Sequence, residues 1–230
     1  MQISGWQKTT LIDFPGNIAT VLFTSGCNFR CPFCYNAELV RNEDPEQISL
    51  EEIFAHLKKR QGVLEGVVLC GGEPLLQPDL ADFVKQVRDL GYKIKLDTNG
   101  YFFERLTGLI QSELLDYVAL DIKGPFNKAY LKSCGLNEDW EKVVGSIEKS
   151  LNLLKESEVP YETRTTIVPL LHDKVVLSQM EKDLKGVSRW VWQSFVPGKC
   201  LDPSFNEIKP YSENELESLR KAIAPWAVVR

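Results

Sequence analysis

The chain has 230 residues, of which 43% are hydrophobic and 26% are charged, a composition typical of a folded globular protein rather than a disordered or fibrous one. Its 27 Lys and Arg residues against 32 Asp and Glu residues give a formal net charge of −5, which argues against a nucleic-acid partner because phosphate contacts need a basic surface. No strictly apolar run exceeds four residues, so no membrane partner is expected. We recognise no signal or transit peptide, and we expect a cytoplasmic location.

Segments typical of strands and of helices alternate along the chain. The predicted strands are rich in Val, Ile, Leu, Thr and aromatic residues, and several are apolar on both faces, as in a buried parallel sheet. They are Ile18–Ser25, Gly66–Cys70, Lys93–Asp97, Leu115–Ile122, Tyr161–Val168 and Arg189–Ser194. Between them, capping boxes predict helix starts at Ser49 and Ser212, and apolar residues recur at helical spacing over residues 80–90 and 140–154.

This alternation predicts the fold class. Six β–α units of roughly 30 residues each imply parallel strands joined by right-handed crossovers, whereas a full eight-unit barrel needs about 250 residues. We therefore predict an α/β protein built as an open partial (β/α)6 barrel, with residues 1–230 in a single domain. A doubly wound open sheet is the competing architecture, and hydrophobic periodicity does not separate the two.

Three of the six cysteines lie within eight residues, directly after the first predicted strand, in Cys27-Asn-Phe-Arg-Cys31-Pro-Phe-Cys34. A structural zinc site needs four ligands, usually from two pairs of cysteines or histidines. The remaining candidates are scattered singly along the chain, at His56, Cys70, Cys134, His172 and Cys200. Three thiolates instead suit a 4Fe–4S cluster that leaves one iron without a protein ligand.

The spacing of these cysteines, with Phe33 directly before the last of them, resembles that of the radical S-adenosylmethionine (radical SAM) superfamily. The resemblance implies a partial β/α barrel, a 4Fe–4S cluster on the three cysteines, SAM on the open iron, and Phe33 beside the adenine. Gly71-Gly72-Glu73-Pro74 follows one β–α unit later and resembles the segment that meets the methionine amino group in that family. Taken alone, the segment would be read as a strand-to-helix turn.

Two further segments, Asp97-Thr98-Asn99-Gly100 and Leu120-Asp121-Ile-Lys123, resemble those of glycyl-radical-enzyme activases such as the pyruvate formate-lyase activating enzyme. The resemblance implies a monovalent cation beside the cofactor carboxylate, and hard oxygen donors suit such an ion. Its ligands would be Asp97, Thr98, Asp121 and the carbonyl of Ala119, with Lys123 near the cofactor. Without the resemblance, the two aspartates would be read as helix caps.

The stretch Leu11-Ile-Asp-Phe-Pro-Gly16, together with the cysteine motif, is similar to the longer type of activase for the anaerobic ribonucleoside-triphosphate reductase. There is no cysteine-rich insert, so one cluster is implied, and Phe195 stands where the pyruvate formate-lyase activase carries a cofactor-contacting histidine. Arg164 is a further candidate residue for the side of the cavity that faces the cofactor. Alternatively, its side chain would form a surface salt bridge. The cofactor-binding residues predicted in this way are Phe33, Tyr35, Gly71, Gly72, Glu73, Asp97, Thr98, Asn99, Asp121, Lys123 and Arg164.

The resemblance implies a radical SAM oxidoreductase that reductively cleaves SAM to a 5′-deoxyadenosyl radical. That radical would take hydrogen from a backbone glycine of a partner glycyl radical enzyme, with the anaerobic ribonucleotide reductase as the expected partner. Flavodoxin or ferredoxin would supply the electron. Two alternatives remain open: a small-molecule radical SAM enzyme of the 7-carboxy-7-deazaguanine synthase type, and a zinc-stabilised binding module.

Overall fold

One sheet runs through the structure, and its strands lie side by side in the order in which they occur in the chain. The structure is a computed structural model and describes residues 1–41 and 47–230. Within these residues the strands are β1 (Ile3–Thr10), β2 (Ala19–Thr24), β3 (Gly66–Gly71), β4 (Lys93–Thr98), β5 (Tyr117–Asp121), β6 (Tyr161–Ile167), β7 (Trp190–Ser194) and β8 (Val228–Val229). β1 is antiparallel to β2, and each later pair of neighbours is parallel.

The strand order confirms the predicted open partial barrel. A doubly wound sheet reverses its strand order at a switch point, and no such reversal occurs between β2 and β7. All six predicted strands are present, with ends within two residues of the prediction. The sequence analysis missed β1 and β8, which form the two unjoined edges of the sheet.

Helices connect the parallel strands and cover one face of the sheet. They are α1 (Ala37–Arg41), α2 (Leu50–Arg60), α3 (Leu80–Asp89), α4 (Phe103–Gln111), α5 (Tyr130–Cys134), α6 (Trp140–Glu156), α7 (Lys174–Asp183) and α8 (Glu213–Ile223), with short 3-10 turns at Pro74–Leu76 and Pro203–Glu207. Ser212 forms the predicted reciprocal capping box with Glu215 at α8, whereas at α2 the side chain of Ser49 caps the helix by accepting from Glu52 N. Throughout the described part of the chain, every helix is too short or too polar to span a bilayer.

The two faces of the sheet have different environments because side chains alternate along each strand. On the outer face Leu22, Leu69, Leu96 and Leu120 belong to the main hydrophobic core beneath the helices. On the inner face Phe14 fills the amino-terminal end, where it packs against apolar side chains of β2 and β3. The carboxyl-terminal end of the interior is left for polar residues.

Candidate active site

A cavity of about 500 Å³ lies at the carboxyl ends of the parallel strands. Of the predicted site residues, all but Ala119 line it: Cys27, Cys31, Phe33, Cys34, Tyr35, Gly71, Gly72, Glu73, Asp97, Thr98, Asn99, Asp121, Lys123 and Arg164. Ala119 lies within β5, between β4 and β6. Predicted residues from five separate segments of the chain therefore meet in one place.

The cavity wall also contains residues that the sequence analysis did not assign. They are Asp13, Phe29, Asn36, Val40, Cys70, Thr166, Gln193, Ser194, Phe195 and Val196. Thr166 follows Arg164 by two residues on β6, so the strand alternation was a usable signal for it. Asp13 comes from the loop between β1 and β2, and no periodicity in that loop predicts its position. Phe195 is buried in the wall, so the position that carries histidine in the pyruvate formate-lyase activase is apolar here.

The cysteine loop (residues 26–36) is held by main-chain hydrogen bonds on both sides. Gly26 N donates to Leu39 O at 2.8 Å, and Arg30 N donates to Cys134 O at 2.8 Å. On the outer side, Leu201 N donates to Cys34 O and Asp202 N donates to Pro32 O, each at 3.0 Å. The segment after β7 therefore covers the cysteine loop from outside.

The three thiols of this loop lie together in the cavity wall, where Cys31 is buried and Cys27 and Cys34 are partly buried. Burial raises the pKa of Cys27 to about 12, and it also raises the pKa of Cys31 and Cys34 above the ordinary value. The charge of Cys34 adds to the shift of the other two, which shows that the thiols interact. Phe29 N donates to Cys27 Sγ at 3.3 Å, a hydrogen bond that would favour a thiolate there.

Glu73 joins the loop after β3 to the loop after β4. Its Oε1 accepts hydrogen bonds from Thr98 Oγ1 at 2.7 Å and Leu75 N at 3.0 Å, and its Oε2 accepts one from Asn99 N at 2.8 Å. Burial raises the pKa of Glu73 to about 7, against the opposing effect of these donors. Its carboxylate thus fixes the position of both loops at the cavity.

Gly71 and Gly72 are required by contacts within the protein. A Cβ on Gly71, which has φ +114°, would lie 2.3 Å from Thr24 N, and one on Gly72 would lie 1.9 Å from Gly26 O. Gly71 thus lets β3 lie against the main chain of β2, and Gly72 lets the loop after β3 approach the main chain of the cysteine loop. Both glycines also line the cavity, where the resemblance places them beside the cofactor.

Five charged side chains cross the inner face of β4, β5 and β6. This charge row consists of Lys95, Asp97, Arg164, Asp121 and Lys123, in which cations and anions alternate. Arg164 Nη1 lies 2.8 Å from Asp97 Oδ2, and Arg164 Nε lies 2.8 Å from Asp121 Oδ1. The surface salt bridge offered as an alternative for Arg164 is wrong, because its side chain is only 13% exposed and faces the cavity.

The charge row follows from strand register. Asp121 of β5 pairs with Arg164 of β6, and Asp97 of β4 pairs with Ala119, two residues before Asp121 on the same face. Burial acts to raise the pKa of Asp121, but Arg164 and Lys123 outweigh it and hold that pKa well below its ordinary value. The carboxylate is therefore ionised at neutral pH.

Comparison with known proteins is consistent with this geometry. Residues 21–185 match the family model described as the radical SAM superfamily, which covers more than half of the chain. The chain belongs to the radical SAM superfamily.

Two proteins named as activating enzymes are similar in sequence to this radical SAM enzyme. It is 34% identical to a protein of Methanocaldococcus jannaschii provisionally named as a glycyl-radical enzyme activating enzyme, over 95% of this chain and 90% of that one. It is 30% identical to the pyruvate formate-lyase-activating enzyme of Clostridium pasteurianum, over 75% of this chain and 71% of that one.

A solved structure shows the same fold. Streptococcus suis SuiB bound to the precursor peptide SuiA matches 91% of this chain with a TM-score of 0.67 and 16% sequence identity. This chain spans 48% of the length of the SuiB chain, so the likeness concerns the barrel alone.

Radical SAM enzymes bind a 4Fe–4S cluster and SAM, and the cavity fits both groups. Within the described residues, no three Cys, His, Asp or Glu side chains converge on a single ion. Three thiols from one loop of the wall would suit a cuboidal cluster, in which each thiolate binds a different iron, whereas a zinc-stabilised module needs four ligands on one ion. The wall offers apolar Phe33 and Phe195 beside charged groups, as an adenine and an amino acid require.

Lys123 is placed by two side chains that the sequence analysis did not assign. Its backbone N–H donates to Tyr130 Oη at 3.1 Å, and its carbonyl accepts from His172 Nε2 at 3.0 Å. Val168 N donates to His172 Nδ1 at 3.0 Å, so the ring is neutral and carries its proton on Nε2. Burial lowers the pKa of His172 to about 4, which keeps this arrangement at neutral pH.

Proposed function

We propose that this radical SAM enzyme activates a glycyl radical enzyme by removing a hydrogen atom from a backbone glycine of that partner. The observation that carries the proposal is the meeting, in one cavity, of the cysteine loop with one segment that resembles the radical SAM superfamily and two that resemble activases. These segments begin at Gly71, Asp97 and Leu120. The similarity to the activating enzymes of M. jannaschii and C. pasteurianum supports the same function.

Each part of the cavity has a role in this proposal. Cys27, Cys31 and Cys34 would hold the cluster, and the buried ring of Phe33 would pack beside the adenine. When bound, the cluster and SAM supply a reductive cleavage that yields a 5′-deoxyadenosyl radical. Glu73 keeps the cofactor-facing loops in place, and Lys123 presents a positive charge to the cavity.

We also propose the finer features predicted from the sequence. The partner would be an anaerobic ribonucleoside-triphosphate reductase, and the electron donor a flavodoxin or a ferredoxin. A cytoplasmic location fits the six cysteines, all of which are free thiols. One sheet extends from Ile3 to Val229, which supports a single domain over residues 1–230. We do not propose the predicted monovalent cation, because Arg164 lies between Asp97 and Asp121, the two carboxylates that would bind it.

The test uses the anaerobically reconstituted protein, reduced with dithionite and mixed with SAM. Without a partner it should release 5′-deoxyadenosine slowly, because no good hydrogen donor occupies the cavity. With the matching glycyl radical enzyme it should produce a stable radical on that partner, seen by EPR. The main splitting should collapse when the partner's glycine carries deuterium at Cα, since it arises from the remaining α-hydrogen.

The matched control is Cys31→Ala, which removes one cluster ligand and should abolish both the radical and the release of 5′-deoxyadenosine. A partner that stays radical-free, while a purine-like small molecule is consumed in step with SAM, would show that the activase proposal is wrong. The enzyme would then be of the deazaguanine-synthase type.

A further inference from the structure

Arg164 and the predicted monovalent cation compete for the same oxygen atoms. Arg164 donates to one carboxylate oxygen of Asp97 and to one of Asp121, at 2.8 Å in both cases. The second oxygen of Asp97 is paired with Lys95 Nζ, and the second oxygen of Asp121 lies 3.0 Å from Lys123 Nζ. All four carboxylate oxygens therefore already have a cationic donor.

The other two predicted cation ligands, Thr98 and Ala119, have different surroundings from the two aspartates. Thr98 Oγ1 donates to Glu73 Oε1 at 2.7 Å and accepts from Gly100 N at 3.1 Å. Ala119 lies inside β5 with a paired strand on each side, and it does not line the cavity. Thr98 Oγ1 is thus already engaged within the protein, and Ala119 is not among the residues that line the cavity.

Charge also disfavours an added ion. Three cationic side chains face two carboxylates, which leaves the charge row with a net charge of +1. A further cation between Asp97 and Asp121 would lie against the Arg164 guanidinium in a poorly hydrated site, where like charges repel strongly. A guanidinium keeps its charge at every working pH and can bridge two carboxylates through separate N–H groups.

We infer that the guanidinium of Arg164 supplies, as part of the protein, the positive charge that the family resemblance assigned to a bound monovalent cation. SAM binding by this chain then needs no alkali ion. The inference rests on the proposed function in one respect, since it takes this cavity to be the SAM site.

The test measures the affinity for SAM by calorimetry, on reconstituted protein, in the chlorides of tetramethylammonium, sodium and potassium at equal ionic strength. The wild-type affinity should be the same in all three salts. Arg164→Ala should bind SAM about tenfold more weakly in tetramethylammonium, the effect expected for loss of one charge-assisted contact. Sodium or potassium should restore much of that loss, because the vacated space between the two carboxylates admits a small cation.

Two further variants distinguish loss of the positive charge at residue 164 from general damage to the fold. Arg164→Lys keeps a cation at the same place, so its affinity should not depend on the salt. Arg88→Ala removes an arginine that bridges to Asp116 at 2.6 Å outside the cavity, and its affinity should match that of the wild type in every salt. Iron content and melting temperature check that each variant is folded.

A second readout follows the ion itself. Thallium(I), a potassium mimic, should show a broadened NMR line with Arg164→Ala and an unchanged line with the wild type. A wild-type affinity that rises tenfold in potassium or sodium would overturn the inference. So would a folded Arg164→Ala variant that responds to no cation. Failure of the wild type to bind SAM in any salt would instead refute the proposed function, and the thallium measurement would still decide the role of Arg164.

Discussion

Four cysteines line the cavity, and three of them, Cys27, Cys31 and Cys34, lie together on the cysteine loop, whereas Cys70 lies on β3. Cys31, Cys134 and Cys200 are all buried, yet Cys134 and Cys200 lie outside the cavity wall. Binding of iron requires each ligand thiol to lose its proton, and the three thiols of the cysteine loop line the cavity from one short segment of the chain. Sequence spacing was sufficient to identify them.

We predict that the reconstituted wild-type protein holds about four irons and four sulfides, as one cuboidal cluster requires. Replacing Cys27, Cys31 or Cys34 with Ala should remove nearly all of both, because each change deletes a ligand. Cys134→Ala is the matched control and should retain the wild-type iron content and visible absorption. Loss of the cluster in the Cys134 or Cys200 variant would mean that the ligand set is wrong.

The buried ring of His172 makes stability depend on pH in a predictable direction. Its pKa is lowered by burial from 6.5 to about 4, so between these values the unfolded chain binds a proton that the native protein does not. The free energy of unfolding should therefore fall as the pH is lowered through this range, by about 3 kcal/mol in all.

His172→Gln keeps an N–H for the Lys123 carbonyl and has no ring to titrate. Urea unfolding of this variant, measured beside the wild type from pH 7 to pH 4, should show a flatter decline. Parallel declines for the two proteins would rule out His172 as the titrating group.

The identities of the site residues were predictable because these residues lie in short motifs. The side chains that they contact were not predictable. The sequence places Asp97 and Asp121 near strand ends and Arg164 within a strand, and only the register of β4, β5 and β6 shows that the arginine bridges the aspartates. The ring of His172 was likewise unassigned, because its link to Lys123 spans 49 residues of sequence.

At the scale of elements, the loop after β3 lies so close to the cysteine loop that there is no room for a side chain at Gly72. Gly72→Ala would place a Cβ 1.9 Å from Gly26 O, so the two loops must separate. We predict a loss of about 1–3 kcal/mol in the free energy of unfolding, the usual cost of overpacking, together with poorer retention of iron. Urea unfolding and iron analysis measure the two effects.

Gly108→Ala is the control for this change. Gly108 is an exposed residue within α4, and a Cβ there would meet nothing within 4 Å. The same substitution should raise the stability by about 0.5–1 kcal/mol, because alanine loses less backbone freedom than glycine in a helix. Equal effects at Gly72 and Gly108 would contradict the role given to the loop contact.

Elements were predictable from sequence where burial dictates their composition. The six strands with helices above them show apolar runs, whereas β1 is half exposed at the sheet edge and has no such run between Ser4 and Thr9. β8 has only two residues, too few for any pattern. The missed elements are therefore the two edges, where one side of the strand lacks a neighbour.

For the whole molecule, a continuous sheet predicts that the protein unfolds as one unit. Tryptophans report on distant parts of it: Trp6 lies in β1, Trp140 in α6, Trp190 and Trp192 in β7, and Trp226 just before β8. Thermal or urea unfolding followed by tryptophan fluorescence and by far-ultraviolet circular dichroism should give coincident transitions. Two separated transitions would show that residues 1–230 contain more than one domain.

The segment that covers the cysteine loop has a consequence for the order of assembly during synthesis. The hydrogen bonds from Leu201 and Asp202 to the cysteine loop form only after these residues have left the ribosome, when about 170 residues separate them from Cys31 and translation is nearly finished. Until then Cys34 O and Pro32 O lack these donors, and the outer main chain of the loop is not yet held. The thiols themselves line the cavity, so the finished protein can still receive iron and sulfide from the cavity side without loss of these hydrogen bonds.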